Sequence, residues 1–455
     1  MESAYDTRHK QMTETPIPKL ITKLAVPTII SMLVTSIYNM ADTYFVSQIN
    51  TSASAAVGVI FSLMAIIQTI GFTFGMGAGT MVSRLLGEKK HTEASEMAAT
   101  GFFVAVGIGL VLTIAGLSSV DWLVRILGAT ETIAPYAKDY AKYILIAAPY
   151  MIGAFVLNNL LRSQGNAAIS MIGISVGAVL NIILDPLFIF TFKMGISGAA
   201  IATILSQFVS FCLLIAFSFS EKSSIKISLS YVRITKYHLT NIIKLGFPTF
   251  CRQGLASVAA VCLNIAAGVF GDSAIAVMSI VQRITFFIIS ALIGFGQGFQ
   301  PVCGFNYGAK RYDRVMEAYW FCVKTSVIFL TVIAVVMVII SPQVITQFRK
   351  EDVDAIQMGT LALRLQCLTL PLQGYVIMSN MFYQATSRAL RATITSMSRQ
   401  GLSFIPLIFS LPIFLGLLGI QVAQPIADVL TFVLVIFLNR YQFREINELK
   451  AGVNL

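Results

Sequence analysis

Long apolar runs that recur along the whole chain constrain the fold more than any other feature of the sequence. The first, residues 20–46, is long enough to cross a hydrocarbon core of about 30 Å as a helix. Similar runs follow at 54–80, 95–119, 138–161, 168–192, 195–219, 245–271, 275–301, 317–341, 358–382, 401–415 and 417–440. Only 12% of the residues are charged, against about 25% in a soluble domain. We therefore predict an all-α polytopic membrane protein with twelve transmembrane helices.

The positive charges indicate how these spans are oriented. The chain carries a net charge of +11, which could suggest nucleic-acid binding. The basic residues, however, concentrate on alternate connections, at 8–23, 84–90, 162, 222–244, 310–314, 388–399 and 440–450. The opposite connections carry few: Arg125, Lys138, Lys142, Lys193, Arg349, Lys350 and Arg364. By the positive-inside rule we expect a multi-pass cell-membrane protein with both termini in the cytoplasm and no nucleic-acid partner.

Several kinds of chemistry are disfavoured by the residues available. The six cysteines are scattered without C-x-x-C spacing, and the three histidines lie in polar connections, so neither a disulfide framework nor a histidine metal site is expected. Gly75, Gly77 and Gly79 resemble a nucleotide loop, but no strand precedes them, and close helix packing explains them better. We expect no cofactor and no enzymatic activity, because a membrane-embedded enzyme would need a nucleophile or a His/Asp constellation within the spans.

An internal duplication divides the chain. Leu24-x-x-Pro27-Thr28 recurs as Leu245-x-x-Pro248-Thr249, and Phe74-Gly75-Met76-Gly77 recurs as Phe295-Gly296-Gln297-Gly298. In both cases the two copies are separated by the same number of residues, the number from Leu24 to Leu245. We call this separation the repeat offset. We predict an N-lobe at 1–220, a basic cytoplasmic linker at 221–244 and a C-lobe at 245–455. Because each lobe has an even number of spans, the two six-helix bundles should be related by a pseudo-two-fold axis along the membrane normal.

Pro27 and its repeat Pro248 are predicted hinges. A proline inside a helix removes one backbone hydrogen bond and clashes with the preceding turn, which bends the helix. The alternative is that each proline lies in the first helical turn, where it causes no bend.

Two carboxylates in the first half, Asp42 and Asp185, are the most unusual residues within the spans. A charge at membrane depth costs about 2.5–3.5 kcal/mol, so such a residue normally faces a protein interior or a water-filled cavity. With a helical rise of about 1.5 Å per residue, both lie in the outer half of the membrane and could share one cavity. Alternatively, Asp42 lies close enough to its helix end to reach the headgroups.

The second half lacks acids at these positions but contains Arg283 and Asp428. Both should lie at similar depth, and an unpaired arginine there is costly. We predict that they form a buried ion pair across the C-lobe cavity, with Arg283 hydrogen-bonded only to backbone carbonyls or water as the alternative.

The sequence resembles the MATE (multidrug and toxic compound extrusion) family, in the branch represented by DinF and MepA. The resemblance covers the chain after residue 20, and Asn-x-x-x-Asp-Pro at Asn181 to Pro186 is its sharpest motif. Further motifs are Pro27, Ala41-Asp42, Gly77-Ala78-Gly79 through Gly87, and Gly195-x-x-Gly198-Ala199-Ala200.

This resemblance implies a V-shaped pair of bundles that exports cationic or amphipathic organic compounds by alternating access, driven by H⁺ or Na⁺. It also implies a cation-coupling site formed by Asp42, Asn181, Asp185 and Thr203, and these four residues could serve as ligands of Na⁺. Tyr38 and Asn158 would be supporting residues of the N-lobe cavity. The seventh span departs from another branch of the family, in which acids of the second half take part. It carries Arg252 and Gln253, so C-lobe cation coupling is not expected.

Both coupling ions fit such an acid pair. Burial favours the protonated form of a carboxyl, whereas Na⁺ between two carboxylates would keep both ionised. The alternative is that the two acids only brace the first span against the fifth. A competing functional class is a lipid-linked oligosaccharide flippase, which should line its cavity with cations for the diphosphate. We expect the protein to act as a monomer.

Overall fold

A computed structural model describes residues 2–49, 51–220, 223–348 and 353–453, and these residues fold almost entirely as helices. The helices are α1 (Glu2–Glu14), α2 (Ile17–Ser47), α3 (Thr51–Gly87), α4 (His91–Ser118), α5 (Val120–Ile126), α6 (Ala134–Ser163), α7 (Ala167–Pro186), α8 (Gly195–Ser218), α9 (Lys236–Gly268), α10 (Asp272–Gly308), α11 (Tyr312–Phe348), α12 (Val353–Ala385), α13 (Ala389–Met397), α14 (Ile405–Leu415) and α15 (Leu417–Val453). π-helical turns at Leu187–Thr191 and Ser398–Phe404 extend α7 and join α13 to α14, and a 3₁₀ turn covers Leu229–Tyr231. Lys222, Arg349 and Lys350 of the predicted connections lie outside the described residues.

Twelve helices within the described ranges are long and apolar enough to cross a membrane, which confirms the predicted number. The eleventh span begins at Ala389 and not at 401, because the π-helical turn carries the helix past Arg399. Arg399 therefore lies within this span and is not part of a connection. At the predicted linker, α9 begins at Lys236 and so includes the linker's last residues.

The two lobes meet in a symmetric contact that confirms the parallel-repeat arrangement. α2 packs against α10 of the other lobe, and α3 packs against α9. A Cβ on Gly87 would clash with the carbonyl oxygen of Phe305, and a Cβ on Gly308 would clash with that of Arg84. Each residue of the first contact is related to its counterpart in the second by the repeat offset. The duplicated glycines thus allow the lobes to approach closely near the ends of α3 and α10.

Helix α1 lies across both lobes at this same end of the molecule, which we call the terminal end. On the N-lobe, Arg8 Nη2 donates to Asn166 Oδ1 at 2.5 Å and a ring nitrogen of His9 lies 3.1 Å from the Gly87 carbonyl oxygen. On the C-lobe, Asn306 Nδ2 donates to the Met12 carbonyl oxygen of α1 at 3.1 Å, and Arg314 Nη2 donates to the carbonyl oxygen of Thr15, just after α1, at 2.5 Å. The polar N-terminal residues therefore form a helix that joins the lobes.

The two predicted hinge prolines lie inside long helices. Pro27 is well past the first residue of α2, Ile17, and Pro248 is well past the first residue of α9, Lys236. Neither is in a first turn, so that alternative is wrong. Next to Pro27, the Thr28 hydroxyl donates to the Gly294 carbonyl oxygen of the C-lobe at 2.6 Å. Bending at these prolines stays a prediction.

Candidate functional site

Asp185, Asn181 and Thr203 form a buried polar cluster between α7 and α8. Their exposed fractions are 0%, 1% and 0%. Asn181 precedes Asp185 by one helical turn, and its Nδ2 lies 3.3 Å from both Asp185 Oδ1 and Thr203 Oγ1. With the amide turned over, Nδ2 donates to Asp185 Oδ2 at 2.9 Å and the amide oxygen accepts from the Thr203 N–H at 3.3 Å. Asn181 can therefore join the carboxylate to Thr203 in either orientation.

The helix changes register just after this cluster. Pro186 has no N–H, and the next residues form the π-helical turn Leu187–Thr191. A π turn inside a membrane helix is a common feature of functional sites. It places Asp185 at the last α-helical turn, facing α2 and α8.

Asp42 on α2 lies within electrostatic reach of Asp185. It is only 7% exposed, so it lies inside the lobe and does not reach a headgroup region. Its Oδ1 atom is buried and has no hydrogen-bond partner among the described residues. Leaving such an acceptor unsatisfied costs about 1–3 kcal/mol, and more for a charged group. The site therefore offers an open ligand position for a cation or a proton.

Two tyrosines complete the surroundings of the acids. The Tyr38 hydroxyl lies against Thr203 and Gln207, and its supporting role stays a prediction. Tyr140 on α6 has a buried hydroxyl that points toward Thr203 and lies within electrostatic reach of Asp42. This hydroxyl has no hydrogen-bond partner within the described ranges. Sequence reasoning missed Tyr140, because nothing in its apolar surroundings indicates which way it faces. Gln207 could have been found from its repeat counterpart, Asp428.

Asn158 does not join this cluster, so its predicted supporting role there is wrong. Its Nδ2 donates to the Ser170 hydroxyl at 2.6 Å and to the Ser170 carbonyl oxygen at 3.2 Å. Ser170 lies in the first turn of α7, whereas Asp185 lies in its last turn. Asn158 therefore holds α6 against the first turn of α7, about 22 Å along the helix from the acid.

An N-lobe cavity of about 60 Å³ adjoins the cluster through Tyr38 and Gln207. Its lining is mixed: it includes the apolar side chains of Phe61, Met64, Met151 and Phe155 and the polar side chains of Thr35, Asn39, Gln68 and Ser210. At this volume the cavity has room for only a few water molecules in this conformation, so a larger ligand would need the lobe to open.

The predicted ion pair in the C-lobe is wrong. Arg283 is exposed and has no ion-pair partner among the residues that the structure describes. Asp428 is 4% exposed and pairs instead with Arg399, whose Nε lies 3.0 Å from Asp428 Oδ1. Gln424 Nε2 and Thr369 Oγ1 also donate to this carboxylate, at 2.8 and 3.2 Å. The π-helical turn Ser398–Phe404 brings Arg399 into the lobe. The predicted span began at 401 and therefore left Arg399 outside it.

Comparison with known proteins identifies the architecture. The family model MatE matches residues 27–187 and 248–409, once in each half of the duplication. The chain belongs to the MATE family. The multidrug export protein MepA of Staphylococcus saprophyticus subsp. saprophyticus is 30% identical over 420 residues, which cover 91% of this chain and 92% of that protein.

Solved MATE structures share the fold over nearly the full length. One, an outward-facing conformation of a multidrug resistance MATE transporter of the MOP superfamily, has 26% identity and a TM-score of 0.90, and the match covers 96% of this chain and 98% of that one. Another, MATE in the bent conformation, has the same identity and TM-score and covers 98% and 99%. This chain is therefore a multi-pass cell-membrane protein of a multidrug efflux transporter family, whose members act on small molecules.

Proposed function

We propose that this MATE protein is a secondary active exporter that exchanges cationic or amphipathic organic compounds for H⁺ or Na⁺ by alternating access. The observation that carries the proposal is the partnerless, buried Oδ1 of Asp42 within electrostatic reach of Asp185. Two acids held together in a membrane interior need a neutralising species, since no basic side chain of the described residues pairs with either of them.

The site has donors for either coupling ion. Na⁺ is a hard cation that takes oxygen ligands, and Asp42, Asp185, Thr203 and the Asn181 amide present such oxygens. A proton needs only one carboxylate oxygen, and the field of the neighbouring acid favours its binding. In both cases the bound cation neutralises the pair, and its release restores the negative charge that attracts a cationic substrate.

Contacts between the lobes support the alternating-access step. The tight contacts of Gly87 and Gly308, together with α1, close the terminal end. With the orientation that the positive-inside rule predicts, this closed end faces the cytoplasm, which corresponds to an outward-facing state. Bending of α2 at Pro27 would couple the acid site to the interlobe contact at Thr28.

The experiment is transport of ethidium, a cationic dye, by the purified full-length protein in liposomes with separate pH and Na⁺ gradients. The Asp42→Asn protein should show no gradient-driven transport. Asp121→Asn is the matched control, since Asp121 is an exposed acid on α5, outside the spans, that pairs with Lys138. Normal ethidium transport by the Asp42→Asn protein would overturn the proposed mechanism.

A further inference from the structure

A second charged site lies where the two lobes meet, and it carries the opposite sign. Arg162, in the last turn of α6, is only 4% exposed. Its Nη1 donates to Gln297 Oε1 of the C-lobe at 2.6 Å, and its Nη2 lies 3.2 Å from Met76 Sδ of the N-lobe. Met76 and Gln297 are related by the repeat offset and thus occupy equivalent positions of the two halves. The Arg162 guanidinium therefore lies on or next to the pseudo-two-fold axis.

Arg252 on α9 adds a second positive charge to this region. It is half-buried, and the two guanidiniums lie within each other's electrostatic field. Arg252 has no hydrogen-bond or ion-pair partner within the described residues.

No carboxylate of the described residues neutralises either guanidinium. Besides Gln297 and Met76, the hydrogen-bond partner of Arg162 is the amide oxygen of Asn159, and no carboxylate of the described residues contributes to the electrostatics of either arginine. Arg252 lies within the span Lys236–Gly268, and an arginine inside a span normally pairs with an acid or marks a substrate pathway. Two neighbouring arginines without a carboxylate partner among the described residues are therefore suited to bind an anion from outside the protein.

The repeat shows that this charge is not a requirement of the fold. Asn159 and Asn380 are related by the repeat offset, and the same offset relates Arg162 to the neutral Tyr383, whose hydroxyl donates to Asn439 Oδ1 at 2.7 Å. Arg252 likewise aligns with Ser31 of α2. Both arginines are thus additions to a scaffold that packs with neutral residues in the other half.

We propose that Arg162 and Arg252 form an anion-binding site on the interlobe axis, which takes a carboxylate or phosphate group attached to an amphipathic body. Guanidinium groups bind both anions through paired, charge-assisted hydrogen bonds. The inference rests on the proposed export function for the direction of transport, and it extends the substrate class to zwitterionic and anionic amphipaths. Because the site lies between the lobes, rocking of the lobes would expose it to either side of the membrane.

Binding to the purified full-length protein in detergent tests the site directly. Carboxyfluorescein, a soluble carboxylate dye, is measured by fluorescence anisotropy, and phosphatidylglycerol with a fluorescent acyl chain provides a lipid phosphate. Arg252→Gln should weaken binding of the preferred anion about ten- to hundred-fold, the range expected for loss of a charge-assisted hydrogen bond. Arg252→Lys should retain part of the affinity. Which of the two probes depends on Arg252 distinguishes a soluble substrate from a lipid headgroup.

Arg364→Gln is the matched control, because Arg364 donates to the Val338 carbonyl oxygen and the Ser341 hydroxyl of α11, away from the axis. It should leave anion binding unchanged. Ethidium transport in liposomes separates the two proposals. Ethidium transport without Arg252-dependent binding of either anion would overturn this inference and leave the export function in place. Arg252-dependent anion binding without ethidium transport would support the site and count against the proposed function.

Discussion

The two lobes share one fold but neutralise their buried acids in different ways. In the C-lobe, Asp428 is paired with the tethered guanidinium of Arg399 at 3.0 Å. In the N-lobe, Asp42 Oδ1 has no hydrogen-bond partner among the described residues, and the neutral Asn181 hydrogen-bonds to Asp185. Gln424 and Thr203 hold equivalent positions beside these acids, since the repeat offset relates one to the other. The same part of the repeat thus contains an acid paired with an arginine in the C-lobe and acids without a basic partner among the described residues in the N-lobe.

This difference suggests how a duplicated transporter divides its work. An arginine side chain is covalently attached and cannot dissociate, so we expect the Arg399–Asp428 pair to stay neutral throughout the cycle. Its charge would then not respond to an ion gradient. Under the proposed function, a free cation in the N-lobe would exchange with both sides of the membrane, so we expect the N-lobe alone to couple its charge state to transport. The C-lobe pair then serves mainly to stabilise its bundle, because a buried charge without its partner is strongly destabilising.

The largest expected effect concerns the N-lobe acids. Asp42→Asn and Asp185→Asn should each reduce gradient-driven ethidium transport to background, since each removes a negative charge that the coupling ion must neutralise. Membrane expression and thermal stability should be retained, because an amide at these positions needs no counter-ion. Loss of expression in both variants would instead favour a purely structural brace between α2 and α7.

The C-lobe pair should respond in the opposite way. Arg399→Gln leaves Asp428 buried without its cation and should cost about 3–5 kcal/mol of unfolding free energy. Thermal unfolding and membrane expression measure this loss. The double variant Arg399→Gln/Asp428→Asn should recover most of the stability and still transport ethidium. Failure of the double variant to transport would show that the C-lobe acid takes part in coupling.

The identity of the coupling ion can be sharpened at Asn181. Asn181→Ala removes a neutral oxygen that Na⁺ can use and a proton does not need. Transport driven by a Na⁺ gradient should require about tenfold more Na⁺, which corresponds to about 1.4 kcal/mol, whereas proton-driven transport should change less. Equal impairment under both gradients would indicate that Asn181 only positions Asp185. Asn380→Ala, a substitution of a buried asparagine in the other lobe, is the control.

The smallest expected effect separates the two prolines. Pro27→Ala restores a backbone hydrogen bond in α2 and should slow transport by a few-fold, because α2 carries Asp42. Pro248→Ala in α9 should have less effect, since no coupling acid lies on that helix. Initial rates of ethidium transport at saturating gradient measure both. Equal slowing in the two variants would contradict a division of labour between the lobes.

Much of this architecture follows from residues read one at a time. The bilayer penalises every charge in a span whatever its neighbours are, so Asp42 and Asp185 stand out in the sequence without any knowledge of contacts. The duplication is likewise a property of spacing along the chain, and it predicts the symmetric contact of the lobes. The resemblance to the MATE family added Asn181 and Thr203 to the acids, and the structure places both beside Asp185.

The partners of these groups were decided by the tertiary structure alone. Asp428 pairs with Arg399 and not with Arg283, because a π-helical turn shifts the register of the eleventh span. Tyr140 joins the acids, and Arg162 reaches across to Gln297. Membrane helices are apolar on nearly all faces, so their sequences carry little information about helix rotation. The sequence therefore predicts the charge of a residue and its depth in the membrane, whereas the direction in which each side chain points depends on how the helices pack.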